Sequence, residues 1–399
     1  MRKKVYFITP VSFPVGGAAT MRKLALAKGL IHHGYDVHII STMNNDPKSN
    51  RELRNFQGVD YHCSAPKDMW GGSKIKKFYH LYYGFYSALL FILKDSKKNS
   101  ETLITTNEYR FTKCLTIRII AKMRSAYYYT ELNENPMVTY KKKSPISSFV
   151  RFSNIKYSLK LYDDVFVMTS KLKELLASNY NIRKNVYVLH NAVDFERFED
   201  LPEIKYIPNT IFYAGSLSFK KDYLDLLLES FKELISYIPD AILKICYFSS
   251  DKYLNLFNKK VSELELKDNI LMFPDVANSD IPLLMKESQT LIIIRKPNEQ
   301  TSYGFPTKLV EYLASGRPVI VSSISDIPDF LKHKENAVLL ENNSIDEIVE
   351  AIRFIFDNPK KADNIGSSGK SICRIKFNNI IESKKIIKQF EYSGSIKHH

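Results

Sequence analysis

The sequence predicts an α/β protein built from two doubly wound units, and three observations carry that reading. Short runs rich in β-branched and aromatic residues alternate with helix-length amphipathic stretches along the chain. The alternation pauses at Asn191–Phe198 and around Pro202 and Pro208, then restarts at Thr210. The 399 residues, 44% hydrophobic and 25% charged with mean hydropathy −0.24, suffice for two cores of ordinary size. That composition excludes a disordered, collagen-like or disulfide-dense chain.

The first unit opens with a strand at Val5–Thr9, a loop from Pro10 to Gly17 and a helix from about Ala18 to His32, which Gly34 ends. Strands are expected at Asp36–Ser41, Gly58–Cys63, Thr102–Thr106, Ala126–Glu131, Asp164–Met168 and Val186–Leu189, with helices near 74–95, 109–124, 146–162 and 170–179. The second unit starts at Thr210–Gly215 and continues with strands at Ile242–Tyr247, Asn269–Met272, Thr290–Ile294, Pro318–Val321 and Ala337–Leu340. Its helices are expected near 222–237, 253–265, 280–287, 305–314, 344–356 and 360–370. A last amphipathic helix, about 377–391, carries Lys384, Lys385 and Lys388. Two such units imply a cleft, with ligands beyond the carboxyl ends of the strands.

Net charge is +15, and its distribution says more than its size. Residues 1–200 hold 32 Lys and Arg against 17 Asp and Glu, whereas residues 201–399 hold 26 of each. One half is thus suited to a polyanion or an anionic membrane surface. No nucleic-acid motif accompanies the charge, so no nucleic-acid partner is expected. Cys63, Cys114, Cys246 and Cys373 lie more than 50 residues apart and read as free thiols of a reducing compartment. The basic N-terminus runs straight into a strand without the apolar core of a signal peptide, so a cytoplasmic location is expected. The terminal Lys397-His398-His399 reads as the stub of a tag.

Phe78–Leu93 is a run of 16 residues without a formal charge, flanked by lysines and rich in tyrosine. It is short of a spanning helix and reads either as a buried helix or as one lying in a membrane interface. Residues 135–162 contain no acidic side chain; Lys141, Lys142, Lys143, Arg151, Lys156 and Lys160 interleave there with Tyr140, Phe149, Phe152, Tyr157 and Tyr162. Lys141, Lys142, Lys143, Arg151, Phe152 and Lys156 are the expected membrane or acceptor surface, and a peripheral position on the inner face of the cell membrane follows. The alternative is a solvated basic face.

Glycine is scarce, at 14 residues, which singles out the pairs Gly16-Gly17 and Gly71-Gly72. Gly16-Gly17 stands between a strand and a helix, where backbone amides and the helix dipole favour an anion; a plain tight turn is the alternative. The equivalent turn of the second unit is Gly215-Ser-Leu-Ser-Phe-Lys-Lys-Asp222, with Lys221 at a junction suited to a diphosphate. The densest segment is Ser302 to Val321, SYGFPTKLVEYLASGRPVIV. Gly304 and Pro306 fix a loop whose amides can meet phosphate, Pro306 suits a helix start, Glu311 can accept ribose hydroxyls and Gly316 ends the helix. Glu131 and Glu134 end a strand, and Glu131 reads either as a cleft residue or as a helix cap or surface position. Asn191 and Asp194 read as hinge and packing residues. Neither a DxD run nor a His/Asp cluster stands in the sequence, so no metal is expected.

The Ser302–Val321 segment resembles the nucleotide-sugar signature of family-4 glycosyltransferases of the GT-B fold, most of all the bacterial polysaccharide enzymes. Gly16-Gly17, His33-Gly-Tyr-Asp-Val, Leu189-His-Asn-Ala-Val-Asp194 and Tyr213-Ala-Gly-Ser with Lys221 extend the likeness over most of the chain. The resemblance implies a GT-B architecture, two Rossmann-like domains facing a central cleft. The acceptor-binding domain would be residues 1–195, the nucleotide-sugar-binding domain 196–373, and 374–399 a helix returning to the first. It implies that Lys221 binds the donor diphosphate and Glu311 the ribose. Tyr303, Gly304, Phe305, Pro306, Thr307 and Lys308 would cradle phosphate and sugar. Gly17 would approach the donor from the N-terminal domain, and Gly16, Gly215 and Ser216 complete the donor set. Ser216 stands where the family often has Arg, and Tyr303 where it has a second Glu, with Glu299 out of register. Arg295 is then expected to supply the missing cation, and Lys221, Arg295 and Glu131 to act in catalysis. The implied activity is retaining transfer of a hexosyl or N-acetylhexosaminyl group from a nucleotide-diphosphate sugar to a glycan or lipid-linked acceptor in surface-polysaccharide biosynthesis, without metal or cofactor. A nucleotide-sugar epimerase of the same fold and a catalytically silent glycan-binding subunit are the alternatives.

Overall fold

The computed structural model describes residues 3–43, 52–66, 73–96, 101–138 and 144–396. Gly71-Gly72, Tyr140, Lys141, Lys142, Lys143 and the terminal Lys397-His398-His399 lie outside the described residues. The chain divides into two compact units, Met1–Ala192 with Asn379–His399 and Val193–Asn378.

Unit 1 runs β1 (Lys3–Thr9), α1 (Ala18–His32), β2 (Tyr35–Ser41), β3 (Arg54–Phe56), β4 (Val59–Cys63), α2 (Lys74–Asp95), β5 (Thr102–Thr106), α3 (Phe111–Arg124), β6 (Tyr127–Leu132), α4 (Pro145–Leu159), β7 (Asp164–Val167), α5 (Ser170–Asn179) and β8 (Val186–Val188). The sheet order is β3-β4-β2-β1-β5-β6-β7-β8. Every described pairing is parallel except β3 with β4. A parallel sheet needs cover on both faces, and the strand residues Val5, Phe7, Ile39, Leu103 and Tyr128 are accordingly fully buried. The antiparallel edge strand β3 is too short, at three residues, to show a pattern in the sequence.

Unit 2 runs α6 (Glu196–Glu199), β9 (Ile207–Gly215), α7 (Leu224–Tyr237), β10 (Ile242–Tyr247), α8 (Asp251–Glu263), β11 (Ile270–Pro274), α9 (Ile281–Lys286), β12 (Ser288–Ile293), α10 (Glu299–Tyr303), α11 (Thr307–Ser315), β13 (Val319–Ser322), α12 (Ile327–Phe330), β14 (Val338–Leu340), α13 (Ile345–Asp357) and α14 (Pro359–Lys376). Its sheet is wholly parallel in the order β11-β10-β9-β12-β13-β14. In both units the strand order reverses beside the first strand, between β1 and β5 and between β9 and β12. The loops leaving these strands are where a doubly wound fold places ligands.

The last helix, α15 (Asn379–Ile396), belongs to unit 1 and packs on α1. Asn379 Nδ2 donates to the Ala25 carbonyl at 3.1 Å, and His33 Nε2 lies 2.9 Å from the Ile380 carbonyl.

Several boundaries differ from the sequence expectation. The units part at Ala192/Val193 and Asn378/Asn379 rather than after 195 and 373, because the Val193 amide donates to the Phe377 carbonyl and Val193 bridges to Asn378. Helix α7 starts at Leu224, not 222, because Asp222 is drawn into a bridge with Arg295 and the Tyr223 amide donates to Ile294. Helix α14 continues past 370 to Lys376, and Gly366 and Gly369 let it lie directly against the backbone of Gly316 and Asn336. No helix among the described residues is long and apolar enough to cross a membrane.

Candidate functional site

The densest polar cluster of unit 2 forms at its reversal point, where the loops after β9 and β12 meet the start of α11. Asp222 is buried at its centre. Its Oδ2 accepts from Tyr213 Oη at 2.7 Å and Lys308 Nζ at 2.5 Å, and its Oδ1 accepts from Arg295 Nη1 at 3.2 Å. Burial alone would raise the Asp222 carboxyl, but Lys308 and Arg295 outweigh it and hold it down to about 2. Burial in turn lowers the Lys308 ammonium, Asp222 opposes that shift, and Arg295 and Lys221 add to it. Lys308 also lies 4.3 Å over the Tyr213 ring. Arg295 and Lys308 together bring two positive charges to one buried carboxylate, with Lys221 near Lys308. Arg295 Nε is buried without a hydrogen-bond partner among the described residues. A buried, unpartnered guanidinium N–H beside surplus positive charge suits an anion.

The neighbouring expected residues sit in different settings. Gly215 allows the Lys308 ammonium its position, since a Cβ there would lie 2.5 Å from Nζ. Ser216, which replaces an expected arginine, is exposed, and its Oγ accepts from the Ser218 amide at 3.2 Å. Tyr303 ends α10 and is half-buried; Gly304 and Pro306 are buried, and Thr307 opens α11. Phe305 points into an aromatic cluster with Phe377 (5.4 Å between ring centroids) and Phe330 (6.2 Å), so it anchors the loop. Glu299 is exposed in the first turn of α10. Glu311 sits one turn into α11, where its Oε1 accepts from Arg197 Nη1 at 2.5 Å. Arg197 Nη2 also donates to the Asn278 carbonyl at 2.7 Å.

In unit 1, Gly16 and Gly17 precede α1 in different settings. A Cβ on Gly16 would lie 2.1 Å from Thr20 Oγ1, whereas one on Gly17 would meet nothing within 4 Å. Gly16 therefore serves packing, and Gly17 leaves an open side. Glu131 is neither a helix cap nor a surface residue: it lies within β6 and is 3% exposed. Its Oε2 accepts from Arg22 Nε at 3.0 Å, and its Oε1 is buried without a hydrogen-bond partner among the described residues. Arg22 also donates to the carbonyls of His190 and Leu189 and to Asn191 Oδ1, which binds α1 to the ends of β6 and β8. Lys23 Nζ donates to Asn107 Oδ1 at 2.7 Å, and Asn107 Nδ2 donates to the Glu131 carbonyl. Burial lowers the Lys23 ammonium, against the pull of Glu131. Asp194 caps the backbone at Glu196.

The expected membrane patch changes in detail. Arg151 is engaged with the Pro136 carbonyl at 2.7 Å, and Phe152 is stacked on Tyr180 at 4.7 Å, so neither presents itself as an open anchor. Lys156 is half-buried. The four cysteines are buried and form no disulfide among the described residues. Among the described residues no group of three His, Cys, Asp or Glu is placed to hold a metal ion.

The sequence reading missed Asp222 and Arg197 as site residues. Asp222 was visible as the residue after two lysines, but a carboxylate among cations has no sequence signature when Arg295 and Lys308 are 73 and 86 residues away. Arg197 lies 114 residues from Glu311.

Two doubly wound units, each with a polar cluster at its reversal point, make the GT-B fold. Residues 194–372 match the family model described as "Glycosyl transferases group 1". Over 286 residues the chain is 23% identical to the chitobiosyldiphosphodolichol beta-mannosyltransferase of Debaryomyces hansenii, 61% of this chain and 60% of that one. The chain spans 40% to 64% of the lengths of the curated relatives it matches. Among solved structures, sucrose-phosphate synthase from Thermosynechococcus elongatus aligns with a TM-score of 0.76 at 15% identity, covering 99% of this chain and all of that one. The Anabaena Alr3699/HepE complex with UDP and glucose aligns with a TM-score of 0.70 at 13% identity, covering 98% of this chain and all of that one. Together the matches show the GT-B fold for the chain and a likeness of residues 194–372 to group 1 glycosyl transferases.

Proposed function

We propose that the protein transfers a hexosyl or N-acetylhexosaminyl group from a nucleotide-diphosphate sugar to a glycan or lipid-linked acceptor, with retention of configuration. The observation that carries this reading is the buried cluster around Asp222, where Arg295 and Lys308 share one carboxylate and Arg295 Nε is buried without a hydrogen-bond partner among the described residues. Departure of a nucleoside diphosphate develops that kind of negative charge, and fixed cations in a partly dry site offset it. Arg295 stands in for the arginine that Ser216 replaces. Lys221 faces the diphosphate, the Tyr303–Lys308 loop lines phosphate and sugar, and Glu311, oriented by Arg197, takes the ribose. In the transfer, the acceptor oxygen bonds to the anomeric carbon as the bond from that carbon to the diphosphate oxygen breaks, and the departing phosphate takes the acceptor proton. Side chains and amides do this work without a metal. Glu131 acts through Arg22, fixing the ends of β6 and β8 on the acceptor side.

The UDP and glucose of the Alr3699/HepE complex and the diphosphodolichol in the name of the Debaryomyces relative support a nucleotide-sugar donor and a lipid-linked acceptor. A role in surface-polysaccharide assembly at the inner face of the membrane fits these substrates. The test is release of nucleoside diphosphate from a panel of nucleotide sugars, with and without candidate acceptors and in excess EDTA. Acceptor-dependent, EDTA-resistant release is expected. Lys221→Ala and Glu311→Ala should each lower kcat/KM at least tenfold, about 1.4 kcal/mol. Acceptor-independent turnover of the sugar would indicate an epimerase, and binding without turnover a silent subunit.

A further inference from the structure

Helix α3 is apolar on two opposite sides. Cys114, Ile117, Ile120 and Ala121 face inward and are buried, while Phe111, Leu115, Ile119 and Met123 form a stripe at four-residue spacing that is exposed. Ile119 is 53% exposed and Met123 57%. An apolar stripe on the outer side of a helix whose inner side is already buried calls for a further apolar surface to cover it. Its neighbours repeat the pattern. On α2 the exposed residues include Phe78, Tyr86 and Leu90, and on α4 they include Ile146, Phe149 and Val150, with Phe149 at 71%.

These three stripes share one face of unit 1. The connections β4 to β5, β5 to β6 and β6 to β7 all advance in the same direction across the sheet, so right-handed crossovers put α2, α3 and α4 on the same side. Direct contacts place them side by side: Lys113 Nζ of α3 lies over the Tyr82 and Phe85 rings of α2, and the Phe111 amide donates to Asn154 Oδ1 of α4. Soluble monomers rarely leave a contiguous apolar area of this breadth open.

Its charge points to one partner. The three helices contain a single acidic residue, Asp95, and that one is tied to Lys4 and Tyr6. Lys94, Lys122 and Lys160 are exposed at the ends of the stripes. Unit 1 as a whole holds 35 Lys and Arg against 15 Asp and Glu, and unit 2 holds 23 against 28. Resting on the reading of a lipid-linked acceptor, we infer that the outer sides of α2, α3 and α4 form a docking surface for an anionic lipid bilayer. The aromatic and aliphatic stripes enter the interfacial region, and the lysines meet lipid phosphates around them. With no helix among the described residues fit to span, the protein lies on the membrane by this face. A second copy is the poorer occupant, because two-fold pairing would bring these lysines against one another.

The experiment is cosedimentation with phosphatidylcholine vesicles with and without phosphatidylglycerol, using wild type and Leu115→Gln/Ile119→Gln/Met123→Gln. Wild type should pellet with the anionic vesicles, less with the neutral ones, and dissociate as salt rises. The triple variant should partition at least about tenfold less, with its thermal midpoint and nucleotide binding unchanged. Ile119→Glu alone is the fallback should the triple variant not fold, with a smaller loss expected. Equal partitioning of wild type and variant, no binding of wild type, or a dimer that the variant converts to monomer would each overturn the proposal. Absence of nucleotide binding in wild type would instead count against the donor site and leave this surface standing.

Discussion

The two units fold the same way and differ in what they do with polarity. Unit 2 gathers its charge inward: Asp222, Arg295 and Lys308 form a buried cluster at the reversal point of a six-stranded sheet. Unit 1 turns apolar residues outward on α2, α3 and α4 and surrounds them with lysine. Its interior still holds charge, in the Arg22–Glu131 pair, but that pair ties secondary structure together. A shared topology thus leaves surface and site chemistry to be set separately in each unit.

The largest effect expected is on stability in unit 2. Asp222→Ala strands two buried cations and should cost about 4 kcal/mol in urea unfolding. Glu265→Ala, which breaks the exposed pair with Lys232, should cost about 0.5 kcal/mol or less. Similar losses for the two would mean that the Asp222 cluster is better solvated than its burial indicates.

Acid should separate the units next. In unit 1 His38 Nε2 and His62 Nδ1 are 2.7 Å apart. Burial, and for His38 also its neighbour His62, pushes both imidazoles down to about 4. Asp60 and Asp95 oppose the shift of His38. The folded state holds them neutral while the unfolded chain takes up protons below about pH 6.5, so their contribution is complete above that pH and falls as the pH drops toward 4. Counted as one coupled site, the loss approaches about 3 kcal/mol. Asp222 acts in the same direction but in a lower window: its carboxyl is held at about 2, so its contribution is complete above the ordinary carboxylate range and is lost as pH falls from there through about 2. Hydrogen exchange corrected for intrinsic rates should show β2, β4 and α2 losing protection between pH 6.5 and 4 before the α7 and α11 region does. Simultaneous loss would break the comparison.

A smaller contrast lies within one glycine pair. Gly16→Ala drives a methyl into Thr20 and should cost about 2 kcal/mol of stability. Gly17→Ala meets open space and should leave stability within about 0.5 kcal/mol while weakening donor binding. The reverse order would reassign the open side of this turn.

Much of the architecture was legible because parallel strands such as Val5–Thr9 and Thr290–Ile294 are nearly continuous apolar runs, and a doubly wound order repeats them. β3 escaped because three residues carry no periodicity, and the far end of α14 because its glycines pack against backbone across the unit. Gly215, Lys221 and Glu311 stood out as candidates from loop and helix junctions, whereas Arg295 and Lys308 entered only through the resemblance. Asp222 and Arg197 did not stand out, because their meaning comes from partners distant in sequence. The apolar stripe of α3 escaped for another reason. Phe111, Leu115, Ile119 and Met123 look like a core face until the sheet takes Cys114, Ile117 and Ile120 instead.

The central claim is that the surplus positive charge around Asp222 takes a diphosphate, and calorimetric titration tests it most directly. Wild type and Arg295→Ala would be titrated with uridine, guanosine, adenosine and thymidine diphosphates and the matching monophosphates. One diphosphate should bind wild type at least about tenfold more tightly than its monophosphate, and Arg295→Ala should erase most of that difference. Failure of every diphosphate to bind, or an undiminished preference in Arg295→Ala, would contradict the account.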